Sequence, residues 1–277
     1  MKRLMALMLV LLLLIPAAVR ADRYRVLDAA LSMLEEGNPF LERYNELNGT
    51  GIRARFPLGC PYFWGGRSVK KVLQPASPTQ ASDYYRTDQV YLYGLDCVGL
   101  IRWVLGQAGY APFESISGLL DRRQFREIVN YKAAKTTGEA RTEALDIGDL
   151  VAIRHPKGGY HCAMYIGTLW DFGYQRDSLP EGLKPYLYYP LLIHSTKSSD
   201  YYERYRAELE RQGRADVLPP CGGVIVTLLD APLSAADSRT PEAEDLSALC
   251  FELEGYHLQI TDLTEEKQVR WIHWREK

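Results

Sequence analysis

The sequence predicts an α+β fold, with helices packed on a mainly antiparallel β-sheet. Helical spacing of apolar residues dominates the first part of the chain. From Asp149 onward the apolar residues come in short runs separated by turns rich in Gly, Pro and Lys. Strands do not alternate regularly with helices, which argues against a doubly wound α/β sheet.

The elements follow in order. Leu27, Ala30, Leu31 and Leu34 recur at helical spacing and predict an amphipathic helix over 23–36. Asn38-Pro39 reads as an N-cap with proline in the first turn, opening a second helix to Leu47 that Asn48-Gly49 ends. Residues 97–108 are apolar over most of their circumference, through Leu100, Ile101, Val104, Leu105 and Ala108, as suits a central buried helix; Gly109 stops it. Strands are expected at 150–153, 161–166, 188–194 and 224–229, and a charged helix, exposed on most sides, at 200–212. Residues 231–247 read as a surface linker. They lead into a terminal β-hairpin that pairs 249–262 with 268–274 through Thr264-Glu265-Glu266-Lys267.

Residues 1–21 read as a signal peptide, with Lys2 and Arg3 before the apolar run Leu4 to Ile15, then Pro16 and the cleavage pattern Val19-Arg20-Ala21. The run is shorter than the roughly 20 apolar residues that span a bilayer. A secreted or extracytoplasmic chain is therefore expected, with no stable membrane insertion once the segment is cleaved; its retention as an anchor is the alternative. Removing it leaves 30 basic against 35 acidic residues, a net charge of −5. With no basic stripe, that balance excludes a nucleic-acid partner held by phosphate electrostatics. Five cysteines are an odd number. Cys60, Cys162, Cys221 and Cys250 show no CxxC spacing, so no zinc site is expected, and the sequence leaves their disulfide pairing open. Cys162 lies in an apolar run and reads as a small buried hydrophobe.

Cys97, in GLDCVGL (94–100), is the residue that points to chemistry. It stands at the first turn of the central helix, where the helix dipole favours the thiolate, the attacking form of cysteine. His161 opens one strand and His194 closes the next, so on antiparallel neighbours they can lie side by side, with His194 orienting His161 against the thiol. Each piece alone has a plain structural reading: a core cysteine, and histidines satisfied at strand ends. Zinc ligation by His155, His161 and His194 is disfavoured, because no carboxylate or thiolate sits at ligand spacing with them. No cofactor is expected.

The order of the motifs adds to this. PYFWGG (61–66), GLDCVGL (94–100), DIGDLVAI (146–153), YHCAMYIG (160–167) and LLIHS (191–195) resemble, in sequence and order, the motifs of the NlpC/P60 cysteine peptidases. The resemblance covers roughly 57–230. It implies a papain-like domain in which Cys97 is the nucleophile, His161 the base and His194 the orienting residue. It also implies that Tyr62 and Asp96 lie beside the nucleophile and hold the amino end of the substrate; wall packing for Tyr62 and helix capping for Asp96 are the structural alternatives. The implied substrate is the peptide stem of peptidoglycan, cut at an amide bond such as that between D-glutamate and a diamino acid. An amidase or acyltransferase using the same Cys–His pair, or a non-catalytic cell-wall binding module, are the competing readings.

Three departures from the family pattern stand out. Val98 replaces the usual serine after the nucleophile, about twenty-seven residues separate Gly66 from Gly94, and thirty-three positions separate the two histidines. The two insertions, about 67–93 and 168–187, carry many tyrosines, among them Tyr84, Tyr85, Tyr91, Tyr93, Tyr174 and Tyr186. They are expected either to wall the cleft or to cover core. The layout is thus a helical lead-in at 22–56, the catalytic domain at 57–230, and the linker with its hairpin at 231–277.

Overall fold

The computed structural model describes residues 23–53, 59–68, 93–110, 115, 125–127, 145–154, 160–217, 219–229, 250–253, 256–261 and 268–274. The expected signal peptide, most of the first insertion, His155 and the linker lie outside the described residues.

Helix α1 covers 23–31 and tightens into a 3-10 turn at Ser32–Leu34. Helix α2 runs Pro39–Asn48. Asn38 caps it by accepting the N–H groups of Phe40 and Leu41, proline sits in its first turn, and Gly49 closes it in the left-handed region at φ 63°. Helix α3 runs Cys97–Gln107 and carries Leu100, Ile101, Val104 and Leu105 fully buried. These elements are those the spacing of apolar residues predicts.

Among the described residues, eight strands form one sheet: β1 Phe125–Glu127, β2 Leu150–Arg154, β3 Tyr160–Gly167, β4 Leu191–Lys197, β5 Gly222–Leu229, β6 Cys250–Leu253, β7 Tyr256–Thr261 and β8 Gln268–Trp274, in the order β1-β8-β2-β3-β4-β5-β7-β6. Every neighbouring pair is antiparallel except β5 with β7. The centre is the meander β2–β3–β4–β5. Alternate residues of these strands, Leu150 and Ala152, Cys162, Met164 and Ile166, Leu191 and Ile193, then Val224, Val226 and Leu228, join the apolar face of α3 in one core. The period of two in the strands meets the helical period of α3 there. Helices α1 and α2 extend the same core through Val26, Ala30, Met33, Phe40, Leu41 and Tyr44.

Two expectations need correction. The terminal hairpin does not pair 249–262 with 268–274. Residues of β6 pair instead with β7, Leu253 opposite Tyr256, and β7 adds in parallel to β5, while β8 lies at the far side of the sheet between β1 and β2. Sequence adjacency suggested a local pairing, but β2 and β5 each had an open side, and the two segments satisfy one each. The strand expected at 188–194 starts at Leu191 and runs on to Lys197. Pro190 lacks an N–H for the ladder, and the Tyr189 N–H bonds back to the Tyr186 carbonyl. Helix α4, Ser199–Arg211, is polar on its outer side, but Tyr201, Tyr205 and Leu209 are buried at four-residue spacing. The Tyr201 hydroxyl donates to the Gly59 carbonyl at 2.7 Å and ties α4 to the residues just before PYFWGG.

The second insertion folds over the core. It holds two 3-10 turns, Arg176–Ser178 and Glu181–Tyr186, and buries Leu169, Leu179, Leu183, Tyr186 and Leu187. Asp171 fastens its start by accepting the backbone N–H and the hydroxyl of Thr168, both at 2.8 Å.

Candidate active site

Two of the motifs are locked to each other through their backbones. The Leu95 N–H donates to the Pro61 carbonyl at 3.0 Å, the Phe63 N–H to the Leu95 carbonyl at 3.1 Å, and the Asp96 N–H to the Gly66 carbonyl at 3.0 Å. The Tyr62 N–H reaches the Gly222 carbonyl at 2.7 Å, so this clamp is also pinned to the start of β5. Such proximity requires glycine. A Cβ on Gly99 would lie 2.0 Å from the Gly66 carbonyl oxygen, and Gly94 sits at φ 147° with the Pro61 carbonyl against its α-carbon. Tyr62 is half-buried in this clamp, bridged to Leu95 one position before Asp96.

Asp96 caps α3. Its Oδ1 accepts the Gly99 N–H at 2.6 Å, and its Oδ2 accepts the Gly65 N–H at 3.0 Å, with Arg67 Nε at 3.9 Å. One carboxylate therefore joins the helix start to the PYFWGG turn. Burial pushes its pKa up, and the Gly99 N–H opposes the rise.

Cys97, the first residue of α3, is half-buried. The groups that act on its ionisation are the Cys162 thiol and backbone and the His161 imidazole. The Cys162 thiol and the His161 imidazole together outweigh burial and bring the Cys97 pKa down to about 4. Cys162 moves the other way, held well above the ordinary thiol range by its hydrogen bond to Cys97 and by burial.

His161 extends the contact into the sheet. Its Nε2 lies 2.8 Å from His194 Nδ1, with the rings edge to face at 72°. Nδ1 of His161 is then the nitrogen left for the sulfur. His194 is buried, and its Nε2 lies 3.2 Å from Thr227 Oγ1. Burial, with His161 alongside, holds the His194 pKa well below its usual value, so it is the neutral ring of the pair. His161 and His194 are thus in direct contact, Cys97 is linked to His161 through the effect on its pKa, and Asp96 and Tyr62 lie at the start of α3 beside Cys97.

Two residues in contact with this series were not singled out by sequence reasoning. Cys162 was read as a buried core residue and is fully buried, and it is also the largest influence lowering the Cys97 pKa. Thr227 carries the only side-chain hydroxyl in β5, GGVIVTLL, which is the one signal that could have marked it. On the rim, Trp64 of PYFWGG and Tyr160, next to His161, are 61% and 53% exposed.

Residues 59–180 match the NlpC/P60 family. That region of the chain is similar to the family. The family consists generally of cysteine peptidases and hydrolases associated with the cell wall. The NlpC/P60 match includes Tyr62, Asp96, Cys97, His161 and Cys162 and ends before His194 and Thr227, whose link to the site rests on the distances above. No curated protein and no solved structure matches the chain significantly. Among the described residues, no helix is long and apolar enough to cross a membrane.

Proposed function

We propose that this protein is an exported cysteine peptidase that hydrolyses amide bonds in the peptide stems of peptidoglycan. The observations that support the reading are His161 Nε2 at 2.8 Å from His194 Nδ1 and a cysteine at the start of α3 whose pKa Cys162 and His161 both lower. A thiolate that persists to low pH, beside a ring able to carry a proton, is the starting state for acyl transfer.

The steps follow from the positions. The Cys97 thiolate attacks the amide carbonyl carbon and forms a tetrahedral oxyanion. Asp96 already occupies the N–H groups of Gly99, through its carboxylate, and Leu100, through its carbonyl, which leaves those of Cys97 and Val98 in the first turn to hold the negative oxygen. The carbon–nitrogen bond breaks as His161 delivers its proton to the leaving amine, giving a thioester on Cys97. Water, deprotonated by His161, then attacks the thioester and releases the acid and the thiol. His194 stays neutral throughout and fixes which nitrogen of His161 faces the sulfur. Tyr62 and Asp96, at the helix end of the site, are the residues for the substrate's amino group, and Trp64 and Tyr160 offer apolar surface at the rim.

The test is digestion of purified muropeptides by the protein and by Cys97→Ala, with products identified by mass. Cleavage by the first alone is expected, and the product masses name the bond. Cleavage by both, or by neither, overturns the proposal.

A further inference from the structure

The hydrogen-bond series does not stop at His194. Its Nδ1 faces His161 and its Nε2 faces the hydroxyl of Thr227, a buried side chain in the middle of β5. Each nitrogen of a neutral imidazole has one role, donor or acceptor, and the two roles are linked. When His161 carries a proton on both nitrogens, its Nε2–H donates to His194 Nδ1. His194 must then hold its single proton on Nε2, and that proton needs an acceptor in a site shut off from water. Thr227 Oγ1 is that acceptor.

We infer that Thr227 is a positioning residue of this site, selecting the Nε2–H tautomer of His194 so that His194 accepts from His161 and steadies the Cys97–His161 pair. The inference rests on the peptidase reading only for its consequence in turnover; its effect on the thiol stands without any substrate. The backbone supports the geometry. His194 is opposite Ile225 and Leu192 opposite Thr227 in the β4–β5 register, so His194 and Thr227 share a sheet face as diagonal neighbours. A valine there would keep the shape and remove only the hydroxyl, leaving the His194 N–H buried without its acceptor. The opposite tautomer, with a proton on Nδ1, would then become competitive. It turns a donor toward the donor of His161 and repels the protonated ring.

The experiment uses the full-length protein and needs no peptide. The rate of iodoacetamide alkylation at Cys97 is followed from pH 3 to pH 8, roughly the span over which the thiolate forms, with the cysteines distinguished by mass after digestion. Thr227→Val is expected to slow alkylation on the acid side about tenfold, the scale of one hydrogen bond, and to move the inflection to higher pH. Thr227→Ser, which restores the hydroxyl, is expected to follow the wild type. Equal profiles for Thr227→Val and wild type overturn the inference, as does a Thr227→Ser variant as impaired as the valine one. Nitrogen-15 NMR of the unsubstituted protein supplies an independent check should Thr227→Val fail to fold. A neutral His194 protonated on Nε2 is expected, and protonation on Nδ1 overturns the inference. Should muropeptides go uncut while these results hold, the peptidase reading fails and the positioning role stands.

Discussion

Around Cys97 the chain is clamped backbone against backbone, with Gly99 on the Gly66 carbonyl and Leu95 bridged to Tyr62. The imidazoles are instead strung across β3, β4 and β5 by single hydrogen bonds of 2.8 and 3.2 Å. The two halves of the site are therefore fixed by different physics. Close backbone contact is steric and leaves no intermediate state, so a side chain either fits or displaces the helix. A series of side-chain hydrogen bonds degrades in steps, because each link contributes on the order of 1 kcal/mol and can be lost alone. The nucleophile's position should thus respond to substitution as a switch, and its ionisation as a dial.

The sharpest way to break this contrast is Gly99→Ala. Its Cβ would meet the Gly66 carbonyl oxygen at 2.0 Å, and both partners are backbone, so the helix start has to move. We expect a loss of about 3 kcal/mol or more, read as a large fall in melting temperature together with loss of rapid alkylation at Cys97. A variant that melts like the wild type would show the clamp to be softer than its geometry implies.

Cys162→Ala tests the dial. It removes the largest influence lowering the Cys97 pKa from its usual value to about 4 and leaves the fold's contacts nearly intact. Alkylation requires thiolate, so the wild-type rate should persist as pH falls and drop only through about 4. In the variant the thiolate loses a donor, its pKa rises, and the drop moves to higher pH. A rate at pH 5 about tenfold below wild type is expected, the scale of a hydrogen bond to a charged group. An unmoved inflection would mean that His161 alone sets the thiolate.

The smallest effect is expected from Asp96→Ala, which removes the cap of α3 and the tie to Gly65 without introducing bulk. Capping residues contribute about 1 kcal/mol, a shift of about 2–4 °C in melting temperature for a domain of this size. If peptide KM rises well beyond what that loss explains, Asp96 also holds substrate.

What could be read from the sequence divides along the same line. Of the clamp, the helix start was legible because its requirements are local, an aspartate before a helix and apolar spacing along α3; the close backbone approaches at Gly94 and Gly99 were not, because they join segments distant in sequence. The meeting of Cys97, His161 and His194 was legible from the order of the motifs and from strand alternation. Thr227 was not, because a lone hydroxyl in an apolar strand has no meaning until the register sets it diagonal to a histidine. Cys162 was read as a buried core residue and is one, fully buried among the apolar side chains; what alternation does not reveal is that it also acts on the Cys97 thiol. The hairpin expected at the C-terminus failed because turn residues report on the nearest partner, whereas open sheet edges attract distant ones.

The placement of β8 bears on how the protein can be handled. Its Ile272 is buried opposite Leu150 of β2, the strand hydrogen-bonded along its other side to the one bearing His161. Residues near the carboxyl end thus serve as an inner stave of the sheet rather than as a tail. Trimming the polypeptide before β8 to isolate a minimal enzyme would leave one side of β2 unpaired and invite intermolecular strand pairing, so shortened versions should aggregate more readily than the whole protein.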